Sequence, residues 1–209
     1  MNSVLKSQKP AAKYLNEQDS CIVHQRMKTF TDNRNENTRD EVWFVQHQPV
    51  FTLGRNGNKS NFLVTSDIPL VHSDRGGDVT YHGPGQLLVY CLIDLKRLQL
   101  GVKNLVNGLE EIVIQYLREF EVQGERMPSA PGVYVNGDKL ASLGLRVRKG
   151  CSFHGLSLNV NMDTTPFSNI NPCGLKGMEV TQLKQLGINK NCDEVASSLF
   201  NLIIKQFYQ

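Results

Sequence analysis

Val133-Tyr134-Val135-Asn136-Gly137-Asp138-Lys139-Leu140-Ala141-Ser142-Leu143-Gly144-Leu145-Arg146-Val147-Arg148 reads as two strands joined by a tight turn. Asn-Gly suits a two-residue type I′ turn, because both central residues need positive φ. Beyond the turn, Lys139, Ala141, Leu143, Leu145 and Val147 fall on one face of an alternating strand, and Ser142, Gly144, Arg146 and Arg148 on the other. A second such strand follows, with His154, Leu156, Leu158 and Val160 on one face and Gly155, Ser157 and Asn159 on the other. Further out, Val42-Trp43-Phe44-Val45 and Val50-Phe51-Thr52-Leu53 are strand-like, residues 68–72 and 87–93 read as buried strands, and Asn56-Gly57 as a turn. Leu105, Leu109, Ile112, Val113, Tyr116, Leu117 and Phe120 recur at helical spacing. Asn191-Cys192-Asp193-Glu194 predicts a capping box before a closing helix over 195–207, and residues 11–34 read as a polar helix with a thin stripe of Leu15, Ile22 and Phe30. Strands and helices without regular βα alternation predict an α+β fold with mostly antiparallel or mixed sheets and flanking helices.

The chain has 209 residues, a length that predicts a single domain over 1–209. With 40% hydrophobic and 21% charged residues it has the composition of an ordered domain, and its formal charge of +3 is too mild to argue for nucleic acid. Neither a signal-peptide core nor a membrane-length apolar run is visible, so the expectation is a cytoplasmic protein that binds no membrane. Five cysteines without a CxxC pair argue against a disulfide framework or zinc ribbon, and no metal or other cofactor is expected.

Two polar residues head apolar stripes. Lys139 precedes Ala141 and Leu143, and His154 precedes Leu156 and Leu158. An ammonium held on an apolar face loses hydration and suits proton transfer, but a lysine next to a turn also snorkels to water. His154 reads first as a hydrogen-bonded, half-buried histidine. Among the cysteines, Cys91 lies inside an apolar strand, and Cys21 and Cys192 carry no marker of reactivity. Cys151, three residues before His154, and Cys173, in Asn171-Pro172-Cys173-Gly174-Leu175, are candidate thiolates. The segment Arg75-Gly76-Gly77-Asp78-Val79-Thr80-Tyr81-His82-Gly83-Pro84-Gly85-Gln86 matches neither phosphate-loop pattern, leaving a close-approach ligand loop or a string of turns.

These stretches together resemble the lipoyl(octanoyl) transferase family. The resemblance rests on the segment 75–86, on Lys139-Leu140-Ala141-Ser142-Leu143-Gly144-Leu145-Arg146, on His154-Gly155-Leu156-Ser157-Leu158-Asn159, on Pro172-Cys173-Gly174-Leu175, and on Pro49 to Arg55. It covers roughly residues 40–185, the expected transferase core. It implies the catalytic-domain fold shared with biotin and lipoate protein ligases. It also implies octanoyl transfer from octanoyl-acyl carrier protein to a lysine of lipoyl domains, those of 2-oxoacid dehydrogenases and the glycine cleavage H protein. The family's nucleophile falls on Cys173 and its partner lysine on Lys139. Its substrate-binding positions fall on Arg75, Gly76, Gly77, Asp78, Val79, Thr80, Tyr81, His82, Ser142, Leu143, Gly144, His154, Gly155, Leu156 and Ser157. Where relatives commonly carry Glu-His, this chain has Gln46-His47.

Elementary chemistry sets what those residues must supply. A thiol of pKa about 8.5 is about 7% thiolate at pH 7.4, and lowering it to about 6.5 gives a twelvefold gain that an eightfold loss of nucleophilicity nearly cancels. Lys139 must therefore do more: protonate the departing thiolate and take a proton from the attacking amine. The acceptor lysine, of pKa about 10.4, is neutral only about 0.1% of the time, a handicap of about 4 kcal/mol. Lys139 is the first candidate to receive its proton and His82 the second. Burying seven tail carbons supplies at most about 5–6 kcal/mol. An ATP-dependent lipoate ligase, a cysteine hydrolase and a non-catalytic acyl-binding module are the rival readings.

Overall fold

A computed structural model describes residues 8–64, 66–128, 130–171 and 177–209. Nine strands and three α-helices are found among them: β1 (Ala11–Gln18), α1 (Ser20–Asp32), β2 (Glu41–His47), β3 (Val50–Leu53), β4 (Leu70–His72), β5 (Val79–His82), β6 (Gln86–Leu92), α2 (Val102–Arg118), β7 (Gly132–Val135), β8 (Asp138–Arg148), β9 (Cys151–Asn159) and α3 (Cys192–Phe207). Six strands form one sheet in the order β1-β2-β6-β9-β8-β7, with only β1 and β2 parallel, and three form a small sheet in the order β4-β3-β5. This is the mixed, largely antiparallel α+β architecture expected.

The large sheet is apolar on both sides, because β6 runs through its centre buried at every position. Val42, Phe44, Leu87, Val89, Leu156 and Leu158 face α2 and α3, joined by Leu109, Ile112, Val195 and Leu199. Trp43, Val45, Leu88, Tyr90 and Phe153 face the opposite way and pack on Val23 and Met27 of α1. Asn191 caps α3 with both halves of the capping box, as its sequence predicts. The β7–β8 turn places Asn136 at φ 53° and Gly137 at φ 90°, the two positive angles of a type I′ turn.

Two expectations fail for tertiary reasons. Residues 11–34 are not one helix: the first part is β1, laid beside β2, and the helix starts only where Asp19 accepts from the backbone N–H groups of Cys21 and Ile22. Ile22, assigned to the apolar stripe, is 57% exposed, and the buried stripe is Val23, Met27 and Thr31. Residues 68–72 do not make a buried strand. Only 70–72 pair, at the edge of the small sheet, and Leu70 is exposed.

Candidate active site

A cleft of about 770 Å³, counted out to its open mouth, lies between α1, the small sheet and the β8–β9 pair. Thirteen of the expected substrate-binding residues line it: Arg75, Gly77, Asp78, Val79, Thr80, His82, Ser142, Leu143, Gly144, His154, Gly155, Leu156 and Ser157. Two do not. Tyr81 points away, packing with Phe51 and Phe167 in the core of the small sheet, and Gly76 is spent on the scaffold, its N–H donating to Leu145 O at 2.9 Å. The sequence reading missed the wall that α1 contributes through Ser20, Cys21, His24 and Met27. The spacing of His24 and Met27, one helical turn apart, was the available signal.

Glycine makes the cleft possible where two segments nearly touch. Gly144 and Gly155 are direct cross-strand partners. A Cβ on Gly155 would meet Val89 O at 1.9 Å, and one on Gly144 would press on Gly76 O at 3.0 Å and Arg75 Cδ at 3.1 Å. The Arg75–Gly76 loop therefore lies directly on the sheet. Arg75 fastens it, donating through its guanidinium to Thr52 O, Thr52 Oγ1 and Asp78 O.

Both polar residues that head apolar stripes in the sequence are turned to the opposite face. In β8, Val133 pairs with Ala141 but Tyr134 pairs with Lys139, so Leu140 is an extra, bulged residue. Leu140 and Ala141 both enter the α2–α3 core, and the bulge turns Lys139 to the side of Ser142 and Gly144. There Lys139 is 1% exposed, with Nζ over the Tyr134 ring at 5.2 Å. In β9, His154 has φ 59°, a left-handed conformation that swings its ring away from Leu156 and Leu158. It stacks on Phe153, lies edge-on to Tyr90 and donates from Nε2 to Asp74 Oδ1 at 2.8 Å. His154 is thus the buried, hydrogen-bonded histidine of the bland alternative, on the cleft side of the sheet.

A continuous polar chain runs behind the cleft. Gln86 Nε2 donates to Tyr81 O and Asn159 Oδ1, so Gln86 Oε1 accepts from His82 Nδ1 at 2.6 Å. His82 is thereby fixed as the Nδ1–H tautomer, and its Nε2 accepts from Thr52 Oγ1. Asn159 Nδ2 continues to Thr181 O, and Thr181 N–H donates to Lys139 O. Complete burial, with the charges of His47 and Arg75 added, pushes the His82 pKa down to about 3. His47 is likewise lowered by burial; its Nδ1–H donates to Gln18 O and its Nε2 accepts from Tyr90. Gln46, at the position of the expected carboxylate, accepts the Gly85 N–H at 2.8 Å and so holds the Gly83-Pro84-Gly85 turn. The amides of Gly76 and Gly85 are therefore both occupied and are not oxyanion donors.

Cys173 lies outside the described residues. The residues on either side of that segment are fastened: Asn171 N–H donates to Asn61 O, and Lys139 N–H donates to Glu179 O. Of the described cysteines, Cys91, Cys151 and Cys192 are buried, and burial pushes all three thiols up, Cys91 to about 12 and Cys192 to about 11. Cys151 is therefore not a thiolate candidate.

A sheet-backed cleft, glycines that seat the Arg75–Gly76 loop on the sheet and a buried lysine next to the β7–β8 turn define a catalytic domain of the lipoate- and biotin-ligase type. The lipoyl protein ligase A/B catalytic domain model matches residues 23–203, and the chain belongs to that family. The octanoyltransferase of Vibrio vulnificus strain CMCP6 is 54% identical over 192 residues, covering 92% of this chain and 88% of its own length. That of Shewanella pealeana is 50% identical over 194 residues, covering 93% and 89%. A lipoate-protein ligase A bound with ATP superposes with a TM-score of 0.75 at 14% identity, covering 95% of this chain and 85% of its own. The biotin protein ligase of Aquifex aeolicus with biotin and ATP gives 0.63 at 18% identity, covering 94% and 70%. At those identities the two structures speak to the fold alone.

Proposed function

We propose that this chain transfers an octanoyl group from octanoyl-acyl carrier protein to a lysine of a lipoyl domain, through a thioester on Cys173. The octanoyl-transfer activity itself rests on the relatives, octanoyltransferases 50–58% identical over most of the chain. The observation that carries the mechanism is Lys139: a lysine 1% exposed, turned by the Leu140 bulge to the cleft side, with its backbone paired to the segment that follows Cys173.

In the first half-reaction the Cys173 sulfur attacks the donor thioester. A new S–C bond forms, the carrier's S–C bond breaks, and the Lys139 ammonium protonates the departing thiolate. In the second, the acceptor amine attacks the acyl carbon, a C–N bond forms, the Cys173 S–C bond breaks, and the amine's proton passes to Lys139 as its neutral amine. His82 is a poor alternative acceptor. Both ring nitrogens are engaged and its pKa lies about 3. The tail lies along the cleft beside Met27, Leu88 and Tyr90, on the α1 side of the sheet. The acceptors are the lipoyl domains of 2-oxoacid dehydrogenases and the glycine cleavage H protein. ATP, a metal or another cofactor has no place in these steps, nor has nucleic acid or a membrane. No helix among the described residues is long and apolar enough to cross a bilayer. The whole chain acts as one catalytic domain.

Intact mass after mixing with octanoyl-acyl carrier protein, without ATP, tests this. Wild type and Cys21→Ser should gain a hydroxylamine-labile octanoyl adduct, and Cys173→Ala should gain none. Lys139→Ala should form it more slowly by at least tenfold, one proton-transfer step's worth. Acylation that requires ATP and free octanoate would overturn the reading in favour of a ligase.

A further inference from the structure

Two of the five histidines converge on a single carboxylate oxygen. His24 Nε2, from α1, lies 2.6 Å from Asp74 Oδ1, and His154 Nε2, from β9, lies 2.8 Å from the same atom. The three ligand atoms lie within 4.8 Å of one another. Burial pushes the Asp74 carboxyl up, but the hydrogen bonds and charges of His154 and His24 outweigh it and hold it at about 2, so it is an anion at neutral pH. None of the three belongs to the polar chain that runs from His82 to the Lys139 backbone.

The cluster has features that packing alone does not require. His154 reaches it only by adopting φ 59°, and a non-glycine residue held there against its stripe is a candidate for function. Three separate elements contribute: a helix, a strand and the turn before Arg75. The His24 and Asp74 side chains are 23% and 32% exposed, which leaves an open approach, while His154 is buried and held by Phe153 and Tyr90. The geometry points to a divalent metal site of zinc class, with His24 Nε2, His154 Nε2 and Asp74 Oδ1 as protein ligands and a solvent position completing the set. Two imidazoles and one carboxylate form an intermediate-softness set suited to zinc or cobalt rather than to calcium or magnesium. Around a tetrahedral ion with bonds of about 2.0–2.1 Å, neighbouring ligand atoms stand about 3.3 Å apart. The observed 2.6 and 2.8 Å separations from Asp74 Oδ1 need to open by about 0.5–0.7 Å, and the two Nε2 atoms, within 4.8 Å of each other, to settle at the same spacing, adjustments that the partly exposed His24 and Asp74 side chains allow. On binding, each imidazole moves its proton to Nδ1 and Nε2 becomes a donor to the ion. The ion would tie α1 to the Asp74 turn across the edge of the cleft. The site does not depend on the transferase reading, and either can fail without the other.

Co²⁺ titrated into the full-length protein and followed by absorption tests this directly, with Zn²⁺ competition by calorimetry. Visible d–d bands of a four-coordinate ion, one ion per chain and no sulfur-to-cobalt charge-transfer band are expected, unchanged in Cys21→Ser and Cys173→Ala. Asp74→Asn and His24→Gln, both at partly exposed positions and readily checked for folding by circular dichroism, should each weaken binding at least tenfold. Equal binding by wild type and the folded His24→Gln variant, or a thiolate band that vanishes in a cysteine variant, would overturn the assignment.

Discussion

Acid should unfold this protein chiefly by forcing a proton onto His82. Its pKa is about 3 in the folded chain against 6.5 unfolded, so between those values the unfolded state binds more protons and stability falls as the pH falls. From pH 7.0 to 4.5 the linkage integral for this one group is about 2.6 kcal/mol. The figure barely moves if the folded value is a unit higher, since pH 4.5 still lies above it. Other histidines add to the wild-type slope, His47 and His154 being lowered by burial as well, so the comparison must be a double difference. His82→Gln removes the titration, and any fixed cost of the substitution cancels between the two pH values. Urea unfolding followed by the single tryptophan, Trp43, should show wild type losing about 2.6 kcal/mol more than His82→Gln over this interval, about 1 M in midpoint at an ordinary urea slope of about 2–3 kcal/mol per molar. Parallel losses in the two proteins would refute the buried, neutral His82, and with it the argument that leaves Lys139 as the proton acceptor.

Gly155→Ala should destabilise the fold by about 1–3 kcal/mol, because the new methyl meets Val89 O at 1.9 Å and β6 has to give; a thermal melt equal to wild type would show that the strand yields freely. Gln46→Glu should keep octanoyl transfer within about twofold, since a carboxylate oxygen accepts the Gly85 N–H as well as an amide oxygen does. A tenfold change in turnover would instead place that side chain in the chemistry.

Much of the scaffold was legible because it rests on local physics. The Asn136-Gly137 turn, the capping box at Asn191 and the apolar stripe of α2 each depend on neighbours within one turn of chain, and each stands as its residues dictate. The glycine segment 75–86 was legible as unusual, and the cleft it borders accounts for half of its residues. The first strand was not, because β1 exists through pairing with β2, a partner more than twenty residues away in the chain.

The amino-acid sequence by itself determined the residue types, the hairpin, the helix ends and the motifs that carry the family resemblance. The tertiary structure alone decided which way the chemistry-bearing side chains point. Strand parity predicts Lys139 and His154 at the heads of the apolar stripes, and both predictions rest on the assumption of an unbroken period of two. One extra residue at Leu140 and one left-handed φ at His154 break that period. Nothing local announces either: each is held only by what packs around it, Leu140 by the α2–α3 core, and His154 by Phe153, Tyr90 and Asp74.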